Sequence, residues 1–202
     1  MYLLFLPLST NKQTVTLRNK GGFGLIELMV SISIMVLVTG VVLARQTAFD
    51  GAVLLRSEAY EVALSIREVQ LSAVSAESKG LGSFRATEGI YFDTANDTTY
   101  LLFQDSPGGN FYYNASEQYG KPGNIDNRFE IRAMSATGAT LHGTGLAIVF
   151  ERPNFDAKFY DSNGQVNASK VYIEVSKRGA LGSGIDEVRT VEVTRTGQIT
   201  VN

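Results

Sequence analysis

The sequence predicts an α+β fold: one long N-terminal α-helix, apolar in its first half and amphipathic in its second, packed on a C-terminal antiparallel β-rich head. Three observations carry this reading. Residues 23–43, FGLIELMVSISIMVLVTGVVL, form an apolar run whose single charge is Glu27. Beyond that run, apolar residues recur at alternating spacings of three and four as far as Ala73, the period of one helix face. From about residue 90 the pattern changes to short runs of alternating apolar and polar side chains, bounded by turn residues. The chain is therefore expected to divide into a leader (1–22), a transmembrane helix (23–43), an amphipathic stalk helix (44–79) and a β-rich globular head (80–202).

At about 1.5 Å per residue the apolar run is roughly 31 Å long, which matches the ~30 Å hydrocarbon thickness of a bilayer. Lys12, Arg18 and Lys20 precede it and no acid does, so the N-terminus is expected to stay in the cytoplasm. Arg45 is one counter-charge on the far side. The chain then crosses the inner (cytoplasmic) membrane once, in contact with the lipid bilayer, with its head outside. Two simpler readings compete. An ordinary secretory signal peptide could end at Val42-Leu43-Ala44, but the run exceeds the usual apolar core of about 7–15 residues, holds an acid near its start and passes into helical periodicity without a break. A plain single-pass anchor explains the length and leaves Glu27 unexplained.

Glu27 matters because an intramembrane carboxylate costs on the order of a few kcal/mol unless it finds a partner, takes up a proton or snorkels to the headgroups. A cut between Gly22 and Phe23 would create an α-amino group four residues before it. In a filament the amine of one subunit can meet the carboxylate of another. At ~4 Å and an effective dielectric of about 20, that attraction is about 4 kcal/mol before desolvation.

The segment Lys20-Gly21-Gly22-Phe23-Gly24-Leu25-Ile26-Glu27-Leu28 resembles the class III signal of type IV prepilins and type II secretion pseudopilins. It has a basic leader ending in Gly, Phe at the first mature position, Glu at the fifth, and an apolar span after them. The resemblance implies that residues 1–22 are a prepilin leader, that a prepilin peptidase cuts after Gly22, that the Phe23 amine is methylated and that Glu27 guides assembly. The implied partners are that peptidase, other pilin or pseudopilin subunits and an inner-membrane assembly platform. The segment departs from the family pattern at Gly24, where members often carry Thr, and in the apolar leader start MYLLFLPL. No proline interrupts 23–78, and only Gly40 and Gly51 could serve as helix breakers there.

Ala52, Leu55, Ala59, Val62, Ile66, Val69 and Ala73 share one helix face, expected to pack beneath a sheet, with Arg56, Ser57, Glu61, Ser65, Glu68 and Ser72 toward solvent. A helix over 23–78 would be about 84 Å long and would end at Ser78-Lys79-Gly80-Leu81-Gly82. Strands are expected at 89–92, 99–104, 128–134, 146–151, 171–176, 187–194 and 198–201, with turns at Asp161–Gly164 and Arg195–Gly197. The segment FERPNFDAKFYDSNG and the closing TVEVTRTGQITVN are similar to heads of minor pseudopilins and FimT-like minor pilins.

The chain has no cysteine, which excludes disulfides, thiol catalysis and Cys-ligated zinc. Losing Lys12, Arg18 and Lys20 with the leader would take the formal charge from -2 to -5, an acidic balance that does not favour nucleic acid. No Walker loop, HExxH, GxSxG or dinucleotide fingerprint is present, so an enzyme, a catalytic residue and a cofactor are not expected. His142 stands in the glycine-rich GATLHGTG and reads as a surface-loop residue. Asp93, Asn96, Asp97, Asn124, Asp126 and Asn127 could offer oxygens to calcium, but lack EF-hand spacing and read as turn residues, so no metal is assigned. Lys177, Arg178, Arg189 and Arg195, with Lys170, would contact nucleic acid only if they segregate on one face. The expected function is thus a structural, minor subunit of a type IV pilus or a type II secretion pseudopilus. The alternatives are a DNA-binding minor pilin of a DNA uptake machine and an exported β domain released by ordinary signal peptidase.

Overall fold

A computed structural model describes residues 22, 24–75, 87–105, 109–151, 153–180 and 187–202, with only the backbone described for 45–50. The chain separates into two units, Met1–Arg45 and Gln46–Asn202. Helix α1 is assigned from Leu25 to Ser75, a stretch without proline. The expected terminator at 78–82 lies outside the described residues.

In the first unit every described residue from Leu25 to Ala44 is exposed. These 20 residues are long and apolar enough to cross a membrane, about 30 Å at 1.5 Å per residue. Their two hydroxyl pairs fold back: Ser31 Oγ donates to the Glu27 carbonyl at 2.7 Å and Ser33 Oγ to the Met29 carbonyl at 2.8 Å. A serine that bonds the preceding turn leaves no hydroxyl to be satisfied by water, which suits a helix surrounded by lipid.

In the second unit α1 buries the expected stripe. Leu55, Ala59, Val62, Ile66, Val69 and Ala73 are at most 2% exposed, and Ala52 is half-buried. The opposite face differs from expectation at two positions. Ser72 is buried, and Ser65 is half-buried because its hydroxyl bonds the Tyr100 hydroxyl at 2.7 Å. Gln70, a polar residue at a core position, is fully buried.

Among the described residues ten strands follow: β1 (Thr87–Asp93), β2 (Thr99–Asp105), β3 (Gly123–Asn124), β4 (Phe129–Thr137), β5 (Gly145–Phe150), β6 (Ala157–Asp161), β7 (Gly164–Val166), β8 (Lys170–Lys177), β9 (Val188–Thr194) and β10 (Ile199–Val201). They form two antiparallel sheets, one ordered β3-β2-β1-β5-β6-β7 and the other β10-β9-β8-β4. The architecture is α+β, with an apolar N-terminal helix and an antiparallel β-rich C-terminal region in a pilin-like layout. All seven expected strands are present. β3, β6 and β7 are additional, and the Asp161–Gly164 turn is the hairpin between the last two.

One core joins the α1 stripe to the inner faces of both sheets, through Ile90, Phe92, Ile148 and Phe159 of the first and Ile131, Val171, Ile173 and Val193 of the second. The other face of the six-stranded sheet is covered as well. Phe103, Ala147, Val149 and Tyr160 lie there beneath Phe111, Tyr112 and Tyr113. Tyr91 stacks on Tyr113 with centroids 4.8 Å apart, and Phe111 stacks on Tyr160 at 5.2 Å. On β8, Val171, Ile173 and Val175 point inward as expected, but Ser176, expected on the opposite face, is also buried. Nothing in the structure explains why a serine stands there.

Candidate functional site

The start of α1 is built on Gly24, whose carbonyl accepts from the backbone N–H groups of Glu27 at 3.0 Å and Leu28 at 3.1 Å. Glu27 thereby occupies the first helical turn, with its side chain exposed. There the unpaired N–H groups and the helix macrodipole favour a negative charge by about 0.3–1 kcal/mol at an exposed site. That is too little to offset the cost of placing a carboxylate in lipid. The helix start therefore positions the acid without neutralising it, which leaves room for an external partner.

Gly22 is exposed, and a Cβ at this position would meet nothing within 4 Å among the described residues. Among the described residues nothing requires glycine there. Phe23 and the leader cations Lys12, Arg18 and Lys20 lie outside the described residues.

The structure separates the four candidate nucleic-acid contacts of the head. Lys177 ends β8 and Arg178 follows it, while Arg189 sits on β9 opposite Val175, near the same end of the sheet. Arg195 follows β9 at the other end, beside Lys170, which pairs with Thr194. The two groups are divided by the length of β8, roughly 23 Å at 3.3 Å per residue. Local acceptors engage the guanidiniums. Arg178 donates to Asp97 Oδ1 at 3.0 Å and to the Asn127 carbonyl at 3.1 Å; Arg195 donates to Asn167 Oδ1 at 3.3 Å; Arg189 donates to the Val188 carbonyl at 3.1 Å. Lys170 pairs with Glu192 at 2.6 Å.

The acids that could have offered oxygens to a cation are likewise engaged within the fold. Asp93 caps the 3-10 turn Thr94–Asn96 by accepting from Ala95 N at 2.9 Å. Asp126 accepts from Arg128 Nε and Nη2, both at 2.9 Å, and this guanidinium holds its carboxyl well down, at about 2. His142 is exposed but not idle. Its backbone N–H donates to Asp161 Oδ2 at 2.8 Å, and its ring lies 3.3 Å from the same oxygen.

Sequence reasoning missed two features of the head. Gln70 ties α1 to two loops: Nε2 donates to the carbonyls of Phe155 and Gly197, each at 2.9 Å, and Oε1 accepts from Arg67. Asp105, at the end of β2, is a buried acid, and burial together with the nearby Glu117 carboxylate raises it to about 6. Only the polar interruption of the α1 stripe at Gln70 could have pointed to the first, and no local pattern marks the second.

Residues 17–43 match the family described as the prokaryotic N-terminal methylation motif. No curated protein and no solved structure matches the chain. The chain therefore carries the type IV pilin and pseudopilin signal, joined to an apolar helix and a β-rich head. That signal is one of structural, non-enzymatic subunits. It implies processing by prepilin peptidase and assembly with other pilins, and it is consistent with a protein first anchored in the membrane and then assembled in a filament.

Proposed function

We propose that this protein is a minor structural subunit of a type IV pilus or type II secretion pseudopilus. In this reading residues 1–22 are removed by prepilin peptidase, the Phe23 amine is methylated, and residues 23–43 hold the subunit in the inner membrane with its head outside. The stalk over 44–79 and the head over 80–202 follow. An assembly platform then moves the helix from lipid into the filament, where its apolar surface exchanges lipid for neighbouring helices. Glu27 meets the Phe23 amine of another subunit, and that charge pair sets the register. The similarity of FERPNFDAKFYDSNG and TVEVTRTGQITVN to heads of minor pseudopilins and FimT-like minor pilins supports a head carried on the filament's outside.

The single observation that carries the reading is the methylation motif at 17–43 overlapping a predominantly apolar 20-residue stretch, Leu25–Ala44, every residue of which is exposed. A surface of that kind needs lipid or other subunits to cover it. The test is the mature N-terminus, read by intact-mass and terminal-peptide mass spectrometry on protein from membranes of the native host. A chain beginning at N-methyl-Phe23 is expected. A chain beginning after Ala44, or one retaining residues 1–22, would overturn the reading.

A further inference from the structure

We propose that a cavity on the outer face of the six-stranded sheet, lined by Tyr91, Tyr113 and Asp93, binds an organic cation: a guanidinium or ammonium group on an apolar stem. The cavity measures about 200 Å³, and Asn96, Thr99 and Leu101 complete its lining. The strands bring these side chains together. Tyr91 pairs with Leu101 across β1 and β2, and Asp93 and Thr99 stand two residues farther along the same strands, on the same face. Tyr113 comes from the segment that covers this face, and Asn96 from the 3-10 turn Thr94–Asn96. Sites for drug-sized ligands run to about 300–1,000 Å³, so this one suits a single group the size of a side chain.

The aromatic walls are set before anything binds. Tyr91 and Tyr113 are stacked with centroids 4.8 Å apart and 19° between their planes. Tyr112 meets the Tyr91 ring edge-on at 5.4 Å, and Phe103 meets Tyr113 in the same way at 5.9 Å. Both phenol groups are directed elsewhere. The Tyr91 and Tyr112 hydroxyls share a hydrogen bond at 3.3 Å, and the Tyr113 hydroxyl donates to Gln118 Oε1 at 3.2 Å. The rings are thus presented to the cavity mainly as π surface, and little ordering is left for a ligand to impose.

Charge selects the ligand. Asp93 Oδ1 caps the 3-10 turn by accepting from Ala95 N at 2.9 Å, which leaves Oδ2 outside the cap. Among the described residues no ion pair engages this half-buried carboxylate, and no basic side chain lines the cavity. Two other acids of the head are different: Asp97 has Arg178 at 3.0 Å and Asp126 has Arg128 at 2.9 Å. The cavity thus carries one negative charge that the described residues do not balance, next to aromatic and aliphatic surface.

An anion is repelled there, and a hard metal ion, which takes about six to eight oxygens, finds too few of them among a leucine and two rings. An organic cation suits both kinds of wall. Its charge is attracted to a tyrosine face and hydrogen-bonds the carboxylate, while its stem has Leu101 to lie against.

Saturation-transfer NMR titrations of the full chain in a polyoxyethylene detergent, with n-butylguanidinium as the probe, test this. Saturable binding to the unaltered chain is expected. Asp93→Asn keeps the cap, because an asparagine oxygen also accepts from Ala95 N, and removes the charge, so it should weaken binding about tenfold. Tyr113→Leu should weaken it about threefold, with circular dichroism melts checking that the sheets stay folded. n-Butylurea, of similar shape without the charge, and methyl glucoside should bind about tenfold more weakly than the cation. A blocked Gly-Arg-Gly peptide distinguishes the sources: binding as tight as that of n-butylguanidinium assigns the cavity to an arginine of a partner protein, and weaker binding assigns it to a free organic cation. No saturable binding, equal binding of n-butylurea or methyl glucoside, or an unchanged affinity in Asp93→Asn would overturn the proposal.

Discussion

Replacing Gln70 with leucine tests whether the head is held to its helix by one buried amide. The side chain is fully buried, so the substitution keeps an apolar group of similar volume in the core and deletes both donors. A hydrogen bond contributes about 1 kcal/mol net, and a buried carbonyl left without a donor costs about 1–3 kcal/mol. The Phe155 carbonyl is only partly buried and can turn to water, whereas the bond to Gly197 is buried. The expected loss is therefore about 3 kcal/mol. For a domain of this size 1 kcal/mol shifts Tm by roughly 2–4 °C, so Gln70→Leu should melt about 6–12 °C lower. Circular dichroism melts of the detergent-solubilised full chain, followed on the β signal with reversibility checked, provide the measurement. Gln70→Glu sharpens it. A carboxylate facing two carbonyl oxygens has no donor to offer at pH 7, but its protonated form restores one, so its deficit should shrink as the pH is lowered. A drop below about 3 °C for Gln70→Leu, or a pH-independent deficit for Gln70→Glu, would refute the clamp.

Three further outcomes follow from the same geometry. Gly197→Ala should destabilise the head by about 2–4 kcal/mol in the same melts, because Gly197 has φ +79 and an added Cβ would lie 2.0 Å from the Phe155 carbonyl oxygen. For Asp161, burial pushes the carboxyl up, but the backbone N–H groups of His142 and Asn163 and the His142 ring more than offset it and hold it below the ordinary range. Its stabilisation is present above about pH 4 and lost as the pH falls through the lowered value. Asp161→Asn should therefore lower Tm at pH 7, by an amount equivalent to about 1–2 kcal/mol, with the gap to the unaltered chain closing toward pH 3. Glu27→Gln should leave the melting of the head unchanged and reduce recovery of the subunit in sheared filaments at least tenfold, scored by immunoblot against the membrane fraction. Equal recovery would remove Glu27 from assembly.

Much of the fold was legible because its signals are local. The α1 stripe shows in the spacing of Leu55, Ala59, Val62, Ile66 and Val69, and β8 in the alternation of Val171, Ile173 and Val175, since each buries one face only. β6 escaped notice for the opposite reason. Ala157, Phe159, Tyr160 and Asp161 are all buried, because the core covers one face of that sheet and the Phe111–Tyr113 segment the other. A strand covered on both faces loses its alternation, and buried Tyr and Asp disguise it further. Ser72 and Gln70 broke the polar and apolar division of α1 in the same way. The N-terminal signal lies in one contiguous stretch and could be read directly. Whether Lys177, Arg178, Arg189 and Arg195 converge depends on the register of β8 on β9, which no local pattern specifies.

The glycines differ in what dictates them. In the head, a Cβ at Gly89 would fall 2.5 Å from the Phe103 ring, one at Gly145 2.2 Å from the Tyr91 hydroxyl, and one at Gly197 2.0 Å from the Phe155 carbonyl oxygen. At Gly197 the clash is with backbone and φ is +79, so the fold leaves no other choice there, whereas at Gly89 and Gly145 the neighbouring side chains would have to shift. At Gly22 and Gly40 a Cβ would meet nothing within 4 Å. Glycine at Gly40, inside a helix, costs about 1 kcal/mol relative to alanine and gains no packing among the described residues in return. A similar contrast holds for the apolar residues: the head buries most of its own, Phe155 being an exception, and the Leu25–Ala44 segment exposes them throughout. Apart from Ser176, these positions of the head are explained by neighbours within the chain. The Leu25–Ala44 segment answers to nothing among the described residues: its exposed apolar surface needs a cover that they do not supply.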